Sequence, residues 1–213
     1  MDIIISDITP SPDGEQIYVS LKFIEGRMVQ SVKGSIATEF FSETGLPTSS
    51  VGEMPSNREK ADRLIYLIEK TDAVKRGISL LSYSTSSKRG LVQRLGQKGV
   101  KREIAADAVE YIAECGYINE QAQAEAVAAD LAKRLYGRMR IRNDMYVKGY
   151  DSAVIDAAID ECEIDFVELC RRRIEQMGGM EIFENKMTRA KAISSLVRHG
   201  FTMSEIKDAV KDT

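Results

Sequence analysis

The sequence predicts a mainly α-helical protein in which three tandem three-helix repeats form an elongated curved solenoid, preceded by a small β-containing N-terminal segment. Three observations carry this expectation. A helix–glycine–helix pattern recurs three times, with glycines at 99, 149 and 200, 50 and 51 residues apart. Alanine is frequent between Ala105 and Ala158, which favours close helix–helix contact over sheet packing. Period-two alternation of apolar and polar residues is confined to the first ~35 positions, where it marks half-buried strands.

At the front, Ile3, Ile4 and Ile5 form a short apolar run, and Pro10, Pro12, Asp13 and Gly14 supply turn chemistry. Ile17, Val19, Leu21 and Phe23 then alternate with Tyr18, Ser20 and Lys22. Glu25 and Gly26 read as a second turn into a strand around Arg27–Val32. A short helix is expected from Ser35 to Thr44, closed by Gly45. Residues 46–56, with Pro47, Gly52 and Pro55, read as a linker. The expected organisation is 1–56 for the β-rich segment with its linker, 57–71 for a connecting helix, and 72–115, 116–163 and 164–213 for the repeats. Ser56 and Glu59 have capping-box spacing at the start of that connecting helix, which carries Leu64, Ile65, Leu67 and Ile68 to about Lys70. A separate helix is expected over Asp72–Tyr83.

Within each repeat, apolar residues stand eight and four positions before the glycine: Leu91 and Leu95, Ile141 and Met145, Ala192 and Leu196. A bulky apolar residue follows it: Val100, Tyr150 or Phe201. Nine and ten positions on come Ala108-Val109, Ala158-Ile159 and Ala209-Val210. Residues four apart share a helix face, so the first helix presents an apolar stripe. Gly99, Gly149 and Gly200 then end that helix in the left-handed conformation, and a second helix lays its alanine pair against the first. A single hairpin cannot bury its own apolar face, so each repeat needs a third helix, supplied by Asp72–Tyr83, Glu120–Tyr136 and Asp165–Met177.

The 213 residues are 43% apolar and 30% charged, a globular composition, with no Trp and 7% aromatics, so the core must rest on aliphatic side chains. Net charge is −3, which does not by itself argue for nucleic acid. Residues 1–70 hold eleven acids against seven bases, so the acidity is concentrated at the front. Cys115, Cys162 and Cys170 have no metal-ligand spacing and read as small core hydrophobes. With no signal peptide and no apolar run long enough for a membrane, a reducing cytoplasm is the expected setting. No catalytic constellation is visible. His199 is the only histidine, placed at a helix end, where a capping role suits it. There is no phosphate-binding loop and no metal cluster in the sequence, so neither cofactor nor metal is expected and the protein reads as a binding protein rather than an enzyme.

The candidate binding residues are basic. Lys88–Arg102 contains six bases and no acid, among them Lys88, Arg89, Arg94 and Lys98. A second cluster includes Arg138, Arg140, Arg142 and Lys148, a third is Arg171–Arg173, and a fourth is Lys186, Arg189, Lys191 and Arg198. Each alone suits a solvated helix face. Their recurrence in every repeat suits a shared strip, because stacked repeats align corresponding residues.

These motifs, in this order, resemble the RecX family of recombination regulators. The family's S-x-x-E-L-x-x-K-L-x-x-K-G segment is matched by Ser87, Leu91, Arg94, Leu95, Lys98 and Gly99. Its Gly-Tyr-Ile-Asp-Asp stretch is similar to Gly116-Tyr117-Ile118-Asn119-Glu120, its G-x-x-R-I motif to Gly137–Ile141, and its K-G-Φ to Lys148-Gly149-Tyr150. Its closing L-x-R-x-G-F-x-x-x-x-I pattern is matched by Leu196, Arg198, Gly200, Phe201 and Ile206. Departures are Ser86 for the usual arginine, Gly90 for the usual glutamate, Glu120 for the second aspartate, and Ala122-Gln123 for the usual Phe-Ala. The resemblance covers residues 72–213 well and 1–71 loosely. It implies a regulator that binds the groove of the RecA recombinase filament and limits its growth, ATP hydrolysis and strand exchange in DNA repair and recombination; a monomer is the default expectation. Weak binding to single- or double-stranded DNA is implied as well. Two other classes stay open: a helix-turn-helix DNA-binding regulator, and an interaction scaffold of another pathway. Against the former, the post-glycine helices Glu103–Glu114 and Ala153–Glu163 are acidic or alanine-rich where a recognition helix needs Arg, Asn and Gln.

Overall fold

The computed structural model describes residues 2–50 and 52–211, and the chain is mainly helical with a small antiparallel sheet at its start. The described residues fall into two compact units, one drawn from Met1–Ser84 and Leu91–Tyr117, the other from Thr85–Gly90 and Ile118–Thr213.

In the first unit, β1 (Asp2–Pro10), β2 (Gln16–Glu25), β3 (Met28–Ala37) and β4 (Met54–Ser56) form an antiparallel sheet of order β3-β2-β1-β4. Ile5, Ile8, Ile17, Val19 and Leu21 point inward and are fully buried, as the alternation requires. Helix α1 is short, Thr38–Ser42, and buries Phe40 and Phe41. The helix expected over Ser35–Thr44 thus begins three residues later, at Thr38, and ends at Ser42. Ser35, Ile36 and Ala37 pair with Tyr18, Ile17 and Gln16, and the Ala37 N–H donates to Thr71 Oγ1 at 3.1 Å, so sheet pairing wins those residues.

Helix α2 runs unbroken from Arg58 to Tyr83. The connecting helix expected at 57–71 and the repeat helix expected from Asp72 are therefore one, because nothing between Lys70 and Ala73 breaks a helix. Its cap is Asn57, not Ser56: Asn57 Oδ1 accepts from the Lys60 N–H at 2.8 Å, while Ser56 ends β4 opposite Ile3. Helix α2 packs on the sheet and on α4 (Arg102–Glu114). Gly77 permits this, since a Cβ there would come within 3.0 Å of the Ile112 side chain. Helix α3 (Lys88–Gln97) buries Leu91 and Leu95 in the same unit, and its first turn belongs to the second unit.

The second unit holds α5 (Glu120–Lys133), α6 (Arg138–Val147), α7 (Ser152–Glu161), α8 (Phe166–Gln176), a single 3₁₀ turn at Met180–Phe183, α9 (Lys186–Arg198) and α10 (Met203–Lys211). The helix triplet recurs as predicted. The third helix pairs with the post-glycine helix each time: α2 with α4, α5 with α7, α8 with α10. The three glycines close their helices in the same way. Gly99, Gly149 and Gly200 have φ of 84°, 91° and 93°. The next N–H returns to the carbonyl five residues back, Val100 to Leu95 (3.1 Å), Tyr150 to Met145 (3.2 Å) and Phe201 to Leu196 (3.2 Å). That six-to-one bond with a left-handed glycine is the Schellman arrangement, and it folds Tyr150 and Phe201 back into the core. The helix-ending residues the pattern anticipates at Tyr136 and Met177 fall just outside α5 and α8, where the chain turns through Leu135 (φ 57°) and Gly178 (φ 119°).

Candidate functional site

Inside the second unit, first helices of successive repeats meet end to end. The C-terminal turn of α9 abuts the N-terminus of α6: the Gly137 N–H donates to the His199 carbonyl at 2.8 Å and the Met139 N–H to the Gly200 carbonyl at 2.9 Å. Two helix ends with complementary orphan groups thereby satisfy each other. A Cβ on Gly137 would lie under 3.0 Å from Gly200 backbone atoms, so only glycine fits that approach. At the other end of α6 the same junction recurs with different chemistry. Ser87 Oγ donates to the Lys148 carbonyl at 2.8 Å and accepts from the Gly90 N–H at 3.0 Å. A Cβ on Gly90 would press on Ser86 Oγ, Ser87 Oγ and the Lys148 carbonyl. The glycine that departs from the family pattern thus belongs to this close approach. Glu120 Oε1 accepts from the Lys88 N–H at 3.0 Å and anchors the turn further.

These junctions sort the predicted basic residues. Arg94, in the first unit, turns its guanidinium to the Leu80 and Ser84 carbonyls at 3.3 and 3.5 Å, capping the end of α2. Arg138 pairs with Glu205 at 3.5 Å and lies over the Phe166 ring, 4.4 Å from its centroid. Arg140 pairs with Asp144 at 3.6 Å and covers Tyr136 at 4.0 Å. Arg142 is bound to Asp156. These four hold neighbouring elements together. Arg89, Lys98, Lys148 and Arg198 are exposed and, among the described residues, stand in no ion pair. Arg89 and Lys148 are brought together at the α6–α3 junction, Arg198 lies at the α9–α6 junction, and Lys98 is in the other unit.

The sequence pattern missed the apolar part of this surface. Tyr146 is 54% exposed, Val147 75% and Met139 57%. Met139 and Tyr146 are seven apart on α6 and so share a face, opposite the buried Ile141 and Met145. The Arg89 guanidinium sits over the Tyr146 ring, 5.7 Å from its centroid. Apolar residues at the right spacing but off the core stripe were the available signal.

His199 is a helix-end residue, as expected. Its Nδ1 donates to the Ser195 carbonyl at 2.9 Å, and its Nε2 accepts from the Arg173 guanidinium at 2.7 Å. No group of metal-ligating side chains and no helix long and apolar enough to cross a membrane occurs among the described residues. Cys170 is buried in the core, where desolvation pushes its thiol up to about 12. Cys162 is half-buried with its thiol also raised, and Cys115 is exposed, which corrects the expectation that all three are core residues.

No family model matches the sequence. Comparison with individual proteins is informative. The chain is 30% identical over 167 residues to regulatory protein RecX of Stenotrophomonas maltophilia strain K279a, covering 76% of this chain and 96% of that one. The chain belongs to the RecX family. RecX of Xanthomonas campestris pv. campestris strain B100 is 32% identical over 142 residues, 65% of this chain and 85% of that protein. The fold agrees. A crystal structure of regulatory protein RecX superposes with a TM-score of 0.71 at 16% identity, covering 99% of this chain and all of that one. RecX from Lactobacillus salivarius superposes at 0.58, also at 16% identity, over 68% of this chain and 96% of that one. The RecX relatives carry the name of regulatory proteins, not of enzymes.

Proposed function

We propose that this RecX protein binds the RecA recombinase filament on DNA and restrains its ATP hydrolysis, growth and strand exchange, acting as a cytoplasmic monomer without a cofactor. Family membership carries the reading: the chain matches 96% of the length of a RecX relative at 30% identity. The exposed cations support it. Arg89, Lys148 and Arg198 offer positive charge that no carboxylate pairs with among the described residues, suited to DNA phosphates or to an acidic protein face. Arg94, Arg138, Arg140 and Arg142 have structural partners and contribute to this contact only through the fold they hold.

The test is RecA's DNA-dependent ATP hydrolysis with this protein titrated in, substoichiometric to RecA, at moderate salt. A progressive fall is expected, weakened in an Arg89→Glu/Lys148→Glu/Arg198→Glu variant. No fall, together with no binding to preformed filaments, overturns the reading in favour of a scaffold with another partner. Unchanged inhibition by the triple variant overturns the assignment of these three cations.

A further inference from the structure

We propose that Tyr146, flanked by Arg89 and Lys148, is a stacking site for an unpaired base of single-stranded nucleic acid. The inference deepens the filament-binding reading and rests on it only for where the site acts.

Tyr146 is the aromatic one among the exposed apolar residues of α6. Its neighbour Met145 is fully buried, yet more than half of Tyr146 is exposed and its hydroxyl makes no hydrogen bond among the described residues. An aromatic ring left in water with no polar anchor is poor packing and good stacking surface. The cations around it give the ligand its charge. Arg89 lies over the ring, and Lys148 follows two residues later on the turn whose carbonyl receives Ser87. The neighbouring acids are engaged or set aside: Asp144 pairs with Arg140, Glu120 accepts from the Lys88 N–H, and Asp151 lies beyond Gly149 at the start of α7. An exposed ring between two cations matches a strand whose bases are free and whose phosphates repeat beside them. A duplex keeps its bases stacked on each other and leaves no base face free to meet the ring.

The junction holds this site in place. Gly149 and Gly90 bring the backbones together so that Arg89, from one repeat, reaches the ring carried by the next. At the equivalent junction, Met139 and Val197 occupy the places of Arg89 and Tyr146, counted from Ile141 and Gly200, and the ring nearby, Tyr136, is half-buried and covered by Arg140. An exposed ring between cations therefore belongs to the α6–α3 junction and not to the α9–α6 one.

The experiment is anisotropy of a labelled oligothymidylate, and of a duplex of equal length, with the full chain at low salt. Tyr146→Ala is expected to weaken oligothymidylate binding about tenfold and to leave the duplex nearly unchanged, as loss of one stacked base requires. Tyr146→Phe keeps the ring and is expected to bind as the parent. Arg89→Glu/Lys148→Glu is expected to weaken both ligands and flatten the salt dependence. Parent-like binding by Tyr146→Ala, equal losses on strand and duplex, or no strand binding by the parent protein overturns the site. RecA ATP hydrolysis measured with the same variants separates the two readings. Strand binding lost with inhibition kept supports the stacking site and places filament contact elsewhere. Strand binding kept by a parent protein that does not affect RecA supports the site and overturns only the filament reading.

Discussion

Gly137→Ala isolates the energy of the end-to-end helix junction. Gly137 has φ −77° and ψ 166°, a conformation alanine adopts freely, so the substitution carries no backbone penalty of its own. What it meets is the Gly200–Phe201 backbone, which lies under 3.0 Å from the new Cβ and cannot rotate away as a side chain can. Relief requires α6 to draw back from α9. That movement breaks the bonds from Gly137 N–H to the His199 carbonyl and from Met139 N–H to the Gly200 carbonyl. Each is worth about 1 kcal/mol net, more where the carbonyl stays buried. Forced overpacking adds about 1–3 kcal/mol. The expected loss is about 3 kcal/mol or more. Gly99→Ala is the control: its φ of 84° penalises any Cβ, yet nothing lies within 4 Å, so the cost is only the left-handed strain of about 1–2 kcal/mol. Urea unfolding followed by far-ultraviolet circular dichroism reads both. A Gly137→Ala variant no less stable than Gly99→Ala would refute the view that backbone approach, rather than helix-ending conformation, sets this junction.

Arg94→Ala should lower the stability of the first unit by about 1 kcal/mol, read as a shift in urea midpoint, with filament inhibition unchanged, because its guanidinium serves the α2 carbonyls. Thiol labelling of the native protein at mildly alkaline pH should modify Cys115 first and leave Cys170 protected until unfolding, since burial holds that thiol near 12; early labelling of Cys170 would contradict its placement. Tyr66 is held up to about 12, by burial first and then by its hydrogen bond to Asp107. The folded state therefore keeps that proton more tightly than the unfolded chain, so its contribution is complete below pH 10.0 and is lost as pH rises through 12. Tyr66→Phe should flatten the alkaline fall in stability measured by urea unfolding.

The repeat was legible because its determinants are local. A glycine that must take positive φ, apolar residues four and eight positions before it, and a bulky residue after it are all set within ten residues. The strand at Met54–Ser56 was not legible, because three residues including a proline pair only where β1 presents a free edge. The division of α2 into two helices failed for the opposite reason. Apolar spacing thins between Ile68 and Ile78, but helix propensity and packing on sheet and α4 carry the chain across without a breaker. For the binding surface, the sequence names the cations but not their partners. Arg142 with Asp156 and Arg138 with Glu205 are joined across turns and helices that periodicity does not locate. A basic cluster in sequence is thus a mixture of tie points and free charge, and only the fold separates Arg89, Lys98, Lys148 and Arg198 from the paired arginines.

That separation has a physical origin in the junctions. Where α9 meets α6 the contact is backbone to backbone through Gly137 and Gly200, and the arginines that flank it, Arg138 and Arg140, fold onto Phe166 and Tyr136. Where α6 meets α3 a serine hydroxyl bridges the helix ends instead. Gly90 stands there at the repeat position held by Arg140 in the other junction. Glycine in place of the repeat's large residue lets the Lys148 carbonyl approach Ser87. Gly90→Arg would restore the pattern of the other junction. It should lose stability through the Ser87–Lys148 contact, because a Cβ at position 90 already presses on Ser86 Oγ, Ser87 Oγ and the Lys148 carbonyl.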